Sequence, residues 1–309
     1  MDTLRLRLID AFTDTPFTGN PAGVVLDAAD LTEDQMQAIA REVHASETAF
    51  VCGGGGGEPF RVRFFTPAAE VDLCGHATIA TFHALVWEGR VPVMDGEVVV
   101  HQDTRAGRLP LRLAIEEGDL RRVMMGQQPP LQEPWRRPVS ELAGPLGVDP
   151  GALESADREI GPPAMVSTGL KCLHVALPDL DAIRSARPDF RALADLSRAI
   201  GVTTVQIVTL ETEVPENWAH VRTFAPSVGV DEDPVTGTAG GSLGGYLAYI
   251  NYLPEGGDLR RFAVEQGVEV GRPGRIEVEL QLVGLSVTET WVGGSAVSAF
   301  AGEMAIPAP

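Results

Sequence analysis

Two stretches of this chain follow one plan, beginning at Arg63 and again at Arg222. Arg63-Phe64-Phe65-Thr66-Pro67 leads through a short acidic loop to Cys74-Gly75-His76-Ala77 and a long apolar run. Arg222-Thr223-Phe224-Ala225-Pro226 leads through another acidic loop to Thr236-Gly237-Thr238-Ala239 and a second apolar run. Both copies read RxFxP, acidic loop, GxA, apolar helix. A repeat of this size constrains the architecture more than any local propensity does.

The correspondence extends both ways. Residues 31–43 read as a helix, with Thr32 and Gln35 as a capping box and Met36, Ile39, Ala40 and Val43 on one face. Its counterpart starts near Asp189, carries Phe190, Leu193, Leu196 and Ile200, and stops at Gly201. Each helix is followed by two strand-like runs, 48–51 and 60–65 in the first copy, 205–210 and 219–224 in the second. The polyglycine stretch 53–57 reads as a flexible hairpin turn. Upstream, Thr18-Gly19 precedes the strand 22–26 as Thr168-Gly169 precedes 172–177; downstream, Val100-His101-Gln102 echoes Val264-Glu265-Gln266. The apolar runs 77–87 and 239–250 are hydrophobic nearly all round, which marks a buried helix, and each is too short to span a membrane. Strands must therefore wrap them. The expected fold is α+β, with two duplicated domains, each a curled, mainly antiparallel sheet around a central buried helix. The short turns favour antiparallel pairing. The expected lobes are 1–128 and 129–309, with the boundary in the proline-interrupted segment 126–138.

Composition excludes several functions. The 309 residues carry 24 Lys+Arg against 43 Asp+Glu, a net charge of −19, which repels phosphate backbones and anionic lipid. Neither nucleic acid nor membrane is an expected partner. Lys171 is the only lysine and does not sit in a phosphate-binding loop, and no GxGxxG follows a strand-like run. Cys52, Cys74 and Cys172 are odd in number and widely spaced, which fits a reducing compartment and argues against a structural zinc site. The start of the chain alternates like a strand and lacks a signal peptide's apolar run. The expected location is cytoplasmic.

The chemistry belongs at the two helix starts. The first N–H groups of a helix lack intrahelical partners and carry the positive end of its dipole. Gly75-His76 and Gly237-Thr238 sit there, so a small anion can be held locally despite the net charge. Glu47, at the start of a strand, has no carboxylate counterpart in the second copy. His76 maps onto Thr238, and Asp233 lies on the loop before it. Singly, these read as a solvated strand start, a helix-start residue, an N-cap (Thr238) and a turn opener (Asp233). Together they form a set able to remove a proton at one carbon and return it at another. A base in a closed apolar cleft is expected to have its pKa raised toward neutrality.

These residues resemble the phenazine-biosynthesis PhzF-like proteins, within the diaminopimelate epimerase-like fold. The matching segments are DAFTDTPFTGNPAGVV, SETAFV, FFTPAAEVDLCGHATIA, VSTGL, DEDPVTGTAGG, EQG and VGGSAV, in order along nearly the whole chain. The resemblance implies two lobes, often a homodimer, and no cofactor or metal. It implies Glu47 as the principal acid/base residue, assisted by His76, Asp233 and Thr238, with Asn20, Gly75, Thr236 and Gly237 around a small anionic substrate. The final strand, about 292–309, is a candidate to return to the first lobe. The founding member moves a proton between ring carbons of a dihydro-hydroxyanthranilate. This chain has threonine at 238 where the family usually has serine. Related epimerases place a cysteine before each helix; here Cys74 fills the first position and Thr236 the second, so a two-thiol epimerase does not fit and Cys74 reads as a small buried residue. Two other readings remain at this point: a racemase or epimerase of an amino or hydroxy acid using Glu47 with Cys74, and a small-anion binding protein without catalysis.

Overall fold

The computed structural model describes residues 2–307. They fall into two compact units, one running through Gly126 and taking in the segment from Gly293 onward, the other Gln127–Val292. Strands predominate, most of their pairings are antiparallel, and the helices are few and short.

In the first unit, β1 (Thr3–Ala11) pairs antiparallel with β2 (Asn20–Val25) on one side and with the terminal strand Ala296–Ala305 on the other. From β2 the chain passes through α1 (Glu33–Val43) into β3 (Glu47–Val51), which lies parallel to β2. A parallel neighbour needs a crossover, and α1 supplies it. The Thr32–Gln35 capping box forms as expected: Thr32 N–H donates to Gln35 Oε1 at 2.9 Å and Gln35 N–H to Thr32 Oγ1 at 3.3 Å. Met36, Ile39 and Ala40 are the buried face. Antiparallel pairing then joins β3 to β4 (Phe60–Phe65) through the polyglycine turn, where Gly54 has φ +101° and a Cβ would lie 2.2 Å from Pro59 O. Strand β5 (Glu70–Val71) follows, then α2 (Gly75–Trp87), β6 (Gly96–Thr104), β7 (Gly107–Glu116) and β8 (Asp119–Gln127). Strand β6 is parallel to β4 and antiparallel to β7. Parallel pairs thus occur where a helix carries the chain across, a geometry that short turns alone would not make. Every residue of α2 from Gly75 to Val86 is buried, and the helix packs against β1, β2, β3 and the terminal strand.

The second unit begins with β9 (Leu131–Pro134), α3 (Ala143–Leu146) and α4 (Pro150–Glu159), then β10 (Ala164–Ser167) and β11 (Lys171–Ala176). After α5 (Leu180–Ser185) and α6 (Phe190–Ile200), β12 (Thr204–Thr209) lies parallel to β11. Asp189 caps α6 and Gly201 ends it in the left-handed conformation, as the sequence indicates. Then come β13 (Ala219–Ala225), β14 (Val230–Asp233), α7 (Gly237–Tyr249), β15 (Leu259–Gln266), β16 (Gly274–Val283) and β17 (Ser286–Gly294). The pairings β11–β12 parallel, β12–β13 antiparallel, β13–β15 parallel and β15–β16 antiparallel follow the same succession as β2–β3, β3–β4, β4–β6 and β6–β7. No helix among the described residues is long and apolar enough to cross a membrane.

Glycines let α7 approach its strands closely. A Cβ on Gly240 would lie 2.8 Å from Ile276, and one on Gly245 only 2.5 Å from Pro130. Replacing Gly245 by alanine gains about 1 kcal/mol of helix propensity but forces a methyl against a rigid proline ring, at a cost of roughly 1–3 kcal/mol. Gly245→Ala is therefore expected to melt at a lower temperature than wild type. The same change at Gly144, where a Cβ meets nothing within 4 Å, should leave melting unchanged or raise it.

A buried charge cluster ties β13 to β15. His220 is enclosed, with Nδ1 2.8 Å from Glu265 Oε1 and Nε2 2.9 Å from Glu269 Oε1. Burial opposes a charged ring, but the two carboxylates raise its pKa to about 9, while both glutamates are held below their ordinary value. A raised histidine pKa stabilises fully below the ordinary 6.5 and loses that contribution as pH rises through 9. Over that interval the wild type should lose on the order of 3 kcal/mol more unfolding free energy than His220→Gln, read by urea denaturation at pH 6 and pH 10.

Candidate active site

Glu47 is the first residue of β3, and parallel register sets it beside Ala22 of β2. Asn20 heads β2 and is fully buried. On the helix side, Cys74 is the N-cap of α2 in extended conformation, Gly75 is the first helical residue and His76 the second. The start of α2 is fixed from below: buried Gln102 donates to Thr78 Oγ1 at 3.0 Å, and Thr78 Oγ1 donates to Cys74 O at 2.8 Å. The Cys74 side chain caps none of the first-turn N–H groups.

These elements bring Glu47 and His76 into contact. His76 Nε2 lies 3.2 Å from Glu47 Oε2 and 3.1 Å from Ser46 Oγ, and Nδ1 lies 3.4 Å from Cys74 Sγ. Ser46 Oγ donates to Pro21 O at 3.4 Å, so it is left to accept from an Nε2–H. Glu47 Oε2 is buried and makes no aligned hydrogen bond.

The electrostatics differ from those expected of a base in an apolar cleft. Burial pushes the Glu47 carboxyl up, but the close approach and positive charge of His76, with help from Ser46 and Cys74, hold it below its ordinary value. Burial pulls His76 down, but Cys74 and Glu47 together raise it well above 6.5. The Cys74 thiol is pushed up to about 11 by burial, with the Glu47 charge adding to the effect. At neutral pH the group is an imidazolium–carboxylate pair beside a protonated thiol. The expectation of a Glu47 pKa near neutrality is corrected: a cation 3.2 Å away outweighs desolvation.

The second unit has its own helix start. Asp233 is the last residue of β14, not part of a loop, and Thr236 rather than Thr238 is the N-cap of α7. Thr236 Oγ1 donates to Asp233 Oδ2 at 2.5 Å. Buried Gln266 donates to Asp233 O at 2.8 Å and accepts from Thr236 N–H at 3.2 Å. Gly237 and Thr238 are the first two helical residues, and Thr238 is half-buried. Asp233 and Thr236 are thus brought together within this unit, as Glu47 and His76 are in the other.

Sequence reasoning overlooked Ser46 and undervalued Cys74, which is buried as expected but touches His76. It noted the paired VxQ segments without giving Gln102 and Gln266 a role; their recurrence at equivalent places before a glycine turn was the available signal. Among the described residues, Glu47, Cys74 and His76 are also a group that could hold a metal ion, with their donor atoms all within 4.8 Å of one another.

With this geometry in hand, comparison with known proteins places the chain. The family model described as phenazine biosynthesis-like protein (PhzC-PhzF) matches residues 9–302. The chain belongs to this family. Among its PhzC-PhzF relatives, an uncharacterized isomerase of Deinococcus radiodurans is 41% identical over 94% of this chain and 92% of its own length. The trans-2,3-dihydro-3-hydroxyanthranilate isomerase of Pseudomonas aeruginosa is 32% identical over 94% of this chain and 95% of its own. The crystal structure of the Bacillus anthracis phenazine biosynthesis protein of the PhzF family superposes with a TM-score of 0.87 at 32% identity, over 99% of this chain and 100% of that one. The protein is an isomerase with a PhzF-type mixed fold of helices and mainly antiparallel sheet.

The ionised pair makes a prediction that needs no substrate. In wild type, the His76 imidazole should stay protonated well above pH 6.5, and Glu47→Gln should lower its pKa, because burial then opposes the cation with less compensation. Imidazole nitrogen shifts measured by NMR across pH 5–10 decide it (about the range in which such rings titrate). A ring titrating at its ordinary value in both proteins would show that the pair is not ionised.

Proposed function

We propose that this PhzC-PhzF protein is a cofactor-independent isomerase that moves a proton on a small carboxylate-bearing substrate, with a dihydro-hydroxyanthranilate as the first candidate. The contact between Glu47 and His76 at the start of a buried helix carries the reading. Glu47, ionised at neutral pH, takes a proton from a substrate carbon and returns it to another. Its lowered pKa makes it a weak base in the free protein. Substrate oxygens that engage the His76 imidazolium would draw that charge away and strengthen the carboxylate as a base. The uncapped first turn of α2 offers N–H groups and a positive dipole end to the substrate's anion. Asn20 and Gly75 on the same unit are proposed as binding residues. Asp233, Thr236, Gly237 and Thr238, at the matching helix start of the second unit, are proposed to assist, with Asp233 and Thr238 in proton handling.

The matching succession of pairings in the two units supports their reading as duplicated copies of the epimerase-like domain. The family resemblance supports a homodimer, the odd, widely spaced cysteines support a cytoplasmic location, and the net charge of −19 supports the absence of nucleic-acid or membrane partners. An epimerase using Glu47 with Cys74 is the second reading, favoured by the thiol's 3.4 Å approach to His76. Against it stand a thiol pKa of about 11 and a threonine at the second cysteine position. Cys74→Ser should retain most of the activity under the isomerase reading and abolish it under the epimerase one.

The deciding experiment incubates the protein in heavy water with trans-2,3-dihydro-3-hydroxyanthranilate and follows deuterium by NMR. Deuterium should enter a ring carbon with wild type and at least about 100-fold more slowly with Glu47→Gln, the usual scale for loss of a general base. Equal rates with both proteins would remove Glu47 from the reaction. No exchange with wild type would remove this substrate.

A further inference from the structure

We propose that Glu47, Cys74 and His76 form a binding site for a thiophilic divalent cation of the zinc class, and that the bound ion inhibits the enzyme by occupying its proton-transfer groups. The inhibitory half rests on the isomerase reading above; the binding half does not.

The donor set is of the right kind. A thiolate, an imidazole and a carboxylate are the ligand types zinc prefers, and three protein ligands with a fourth position open is its usual arrangement at reactive sites. The spacing is also right. With metal–sulfur bonds of about 2.3 Å and metal–nitrogen or metal–oxygen bonds of about 2.0–2.1 Å, a tetrahedral site has N···S edges of about 3.6 Å and N···O edges of about 3.3 Å. Here His76 Nε2 lies 3.8 Å from Cys74 Sγ and 3.2 Å from Glu47 Oε2. Two edges of a tetrahedral face are thus close to the required length, and the third pair, the sulfur and the carboxylate, lies within 4.8 Å.

Two further observations separate this cluster from an ordinary polar contact. Glu47 Oε2 is buried without an aligned hydrogen bond, although it belongs to a charged group. Two other buried histidines are used differently: His220 is held between Glu265 and Glu269, and His174 between Gln206 and Ser242, so each of these two spends both nitrogens on separate neighbours. The three donors at Glu47 come from a strand start, an N-cap and the first helical turn, all fixed by backbone hydrogen bonding, so little ordering is needed on binding. Coordination requires Cys74 as thiolate and neutral His76; the ion replaces the proton of each, and both protons leave to solvent. With His76 and Glu47 ligated, neither can carry a substrate proton.

The test uses the full reduced chain, freed of metal with a chelator, and titrates it with cobalt(II) as an optical probe. Tetrahedral thiolate coordination gives a sulfur-to-cobalt charge-transfer band in the near ultraviolet and intense visible bands, and zinc should bleach both by displacement. The bands should be lost in Cys74→Ser and kept in Cys52→Ser. Zinc affinity should fall at least about tenfold in Cys74→Ser and in Glu47→Gln, since even neighbours of metal ligands cost that much when removed. Circular dichroism confirms that each variant is folded, and Glu47→Gln keeps the test alive should the serine variant not fold. Absence of the bands, or bands that survive Cys74→Ser and vanish in Cys52→Ser, would overturn the site. Zinc that binds by this assay yet leaves deuterium exchange unchanged would overturn inhibition.

Discussion

A helix that is apolar on every side has to be enclosed, and enclosing it strands the amide groups of its first turn. In α2 the enclosure is nearly complete, from Gly75 to Val86, and Thr78 and Thr81 turn their hydroxyls back onto the carbonyls of Cys74 and Ala77 rather than leave them unpaired. The helix start must then be anchored by something other than water. A buried glutamine does this in each unit. Gln102, at the end portion of β6, holds Thr78 beneath the Cys74 carbonyl, and Gln266, the last residue of β15, grips both Asp233 and Thr236 ahead of α7. The strand following each buried helix thus returns to brace the turn preceding it. The placement of Cys74 at one helix start, and of Asp233 and Thr236 at the other, follows from that brace.

Once the helix start is fixed, the charge pattern follows from proximity. A lone carboxylate in this interior would be driven toward its neutral form, and a lone imidazole toward its own. Set 3.2 Å apart, with Cys74 beside the ring, the carboxyl is held below its ordinary value and the imidazole is raised above its own. Cys74, with no cation of its own to spare, goes the opposite way and stays a thiol. Burial therefore has different outcomes for three side chains in one cluster, decided by which neighbour each can use.

Much of this was legible in the residues. The caps of α1 and α6, the strand runs and the two all-apolar helices follow from local patterns with few competing solutions, and the structure places them within one or two residues of expectation. Local patterns do not specify pairing partners, which is why the parallel neighbours β2–β3 and β11–β12 were not foreseen from short turns. Nor do they carry distances. Asp233 and Thr238 were assigned to loop and cap because a turn signal such as Asp-Pro marks a boundary only to within a residue or two. The state of Glu47 depends on a contact across 29 residues of chain (47 to 76), and no window around Ser46-Glu47 contains it. Ser46 escaped notice for the same reason: its role exists only beside His76 Nε2.

The two helix starts are alike in backbone and unlike in chemistry, and the difference bears on the kind of reaction. Inverting a carbon centre needs one group to take a proton from one face and a second, of comparable acidity, to supply one to the other; a thiol at each N-cap would provide that symmetry. Here the first N-cap is a thiol too weakly acidic to ionise near neutrality, and the second is Thr236, whose hydroxyl is committed to Asp233 at 2.5 Å. The ionised pair, Glu47 and His76, belongs to the first unit. A single carboxylate that takes a proton and keeps hold of it until it is returned favours delivery to the same face at a neighbouring position in the conjugated system. Under the isomerase reading proposed above, that is the course of an allylic or ring isomerisation rather than of an inversion, and Thr236 at the second N-cap is the residue that most favours it.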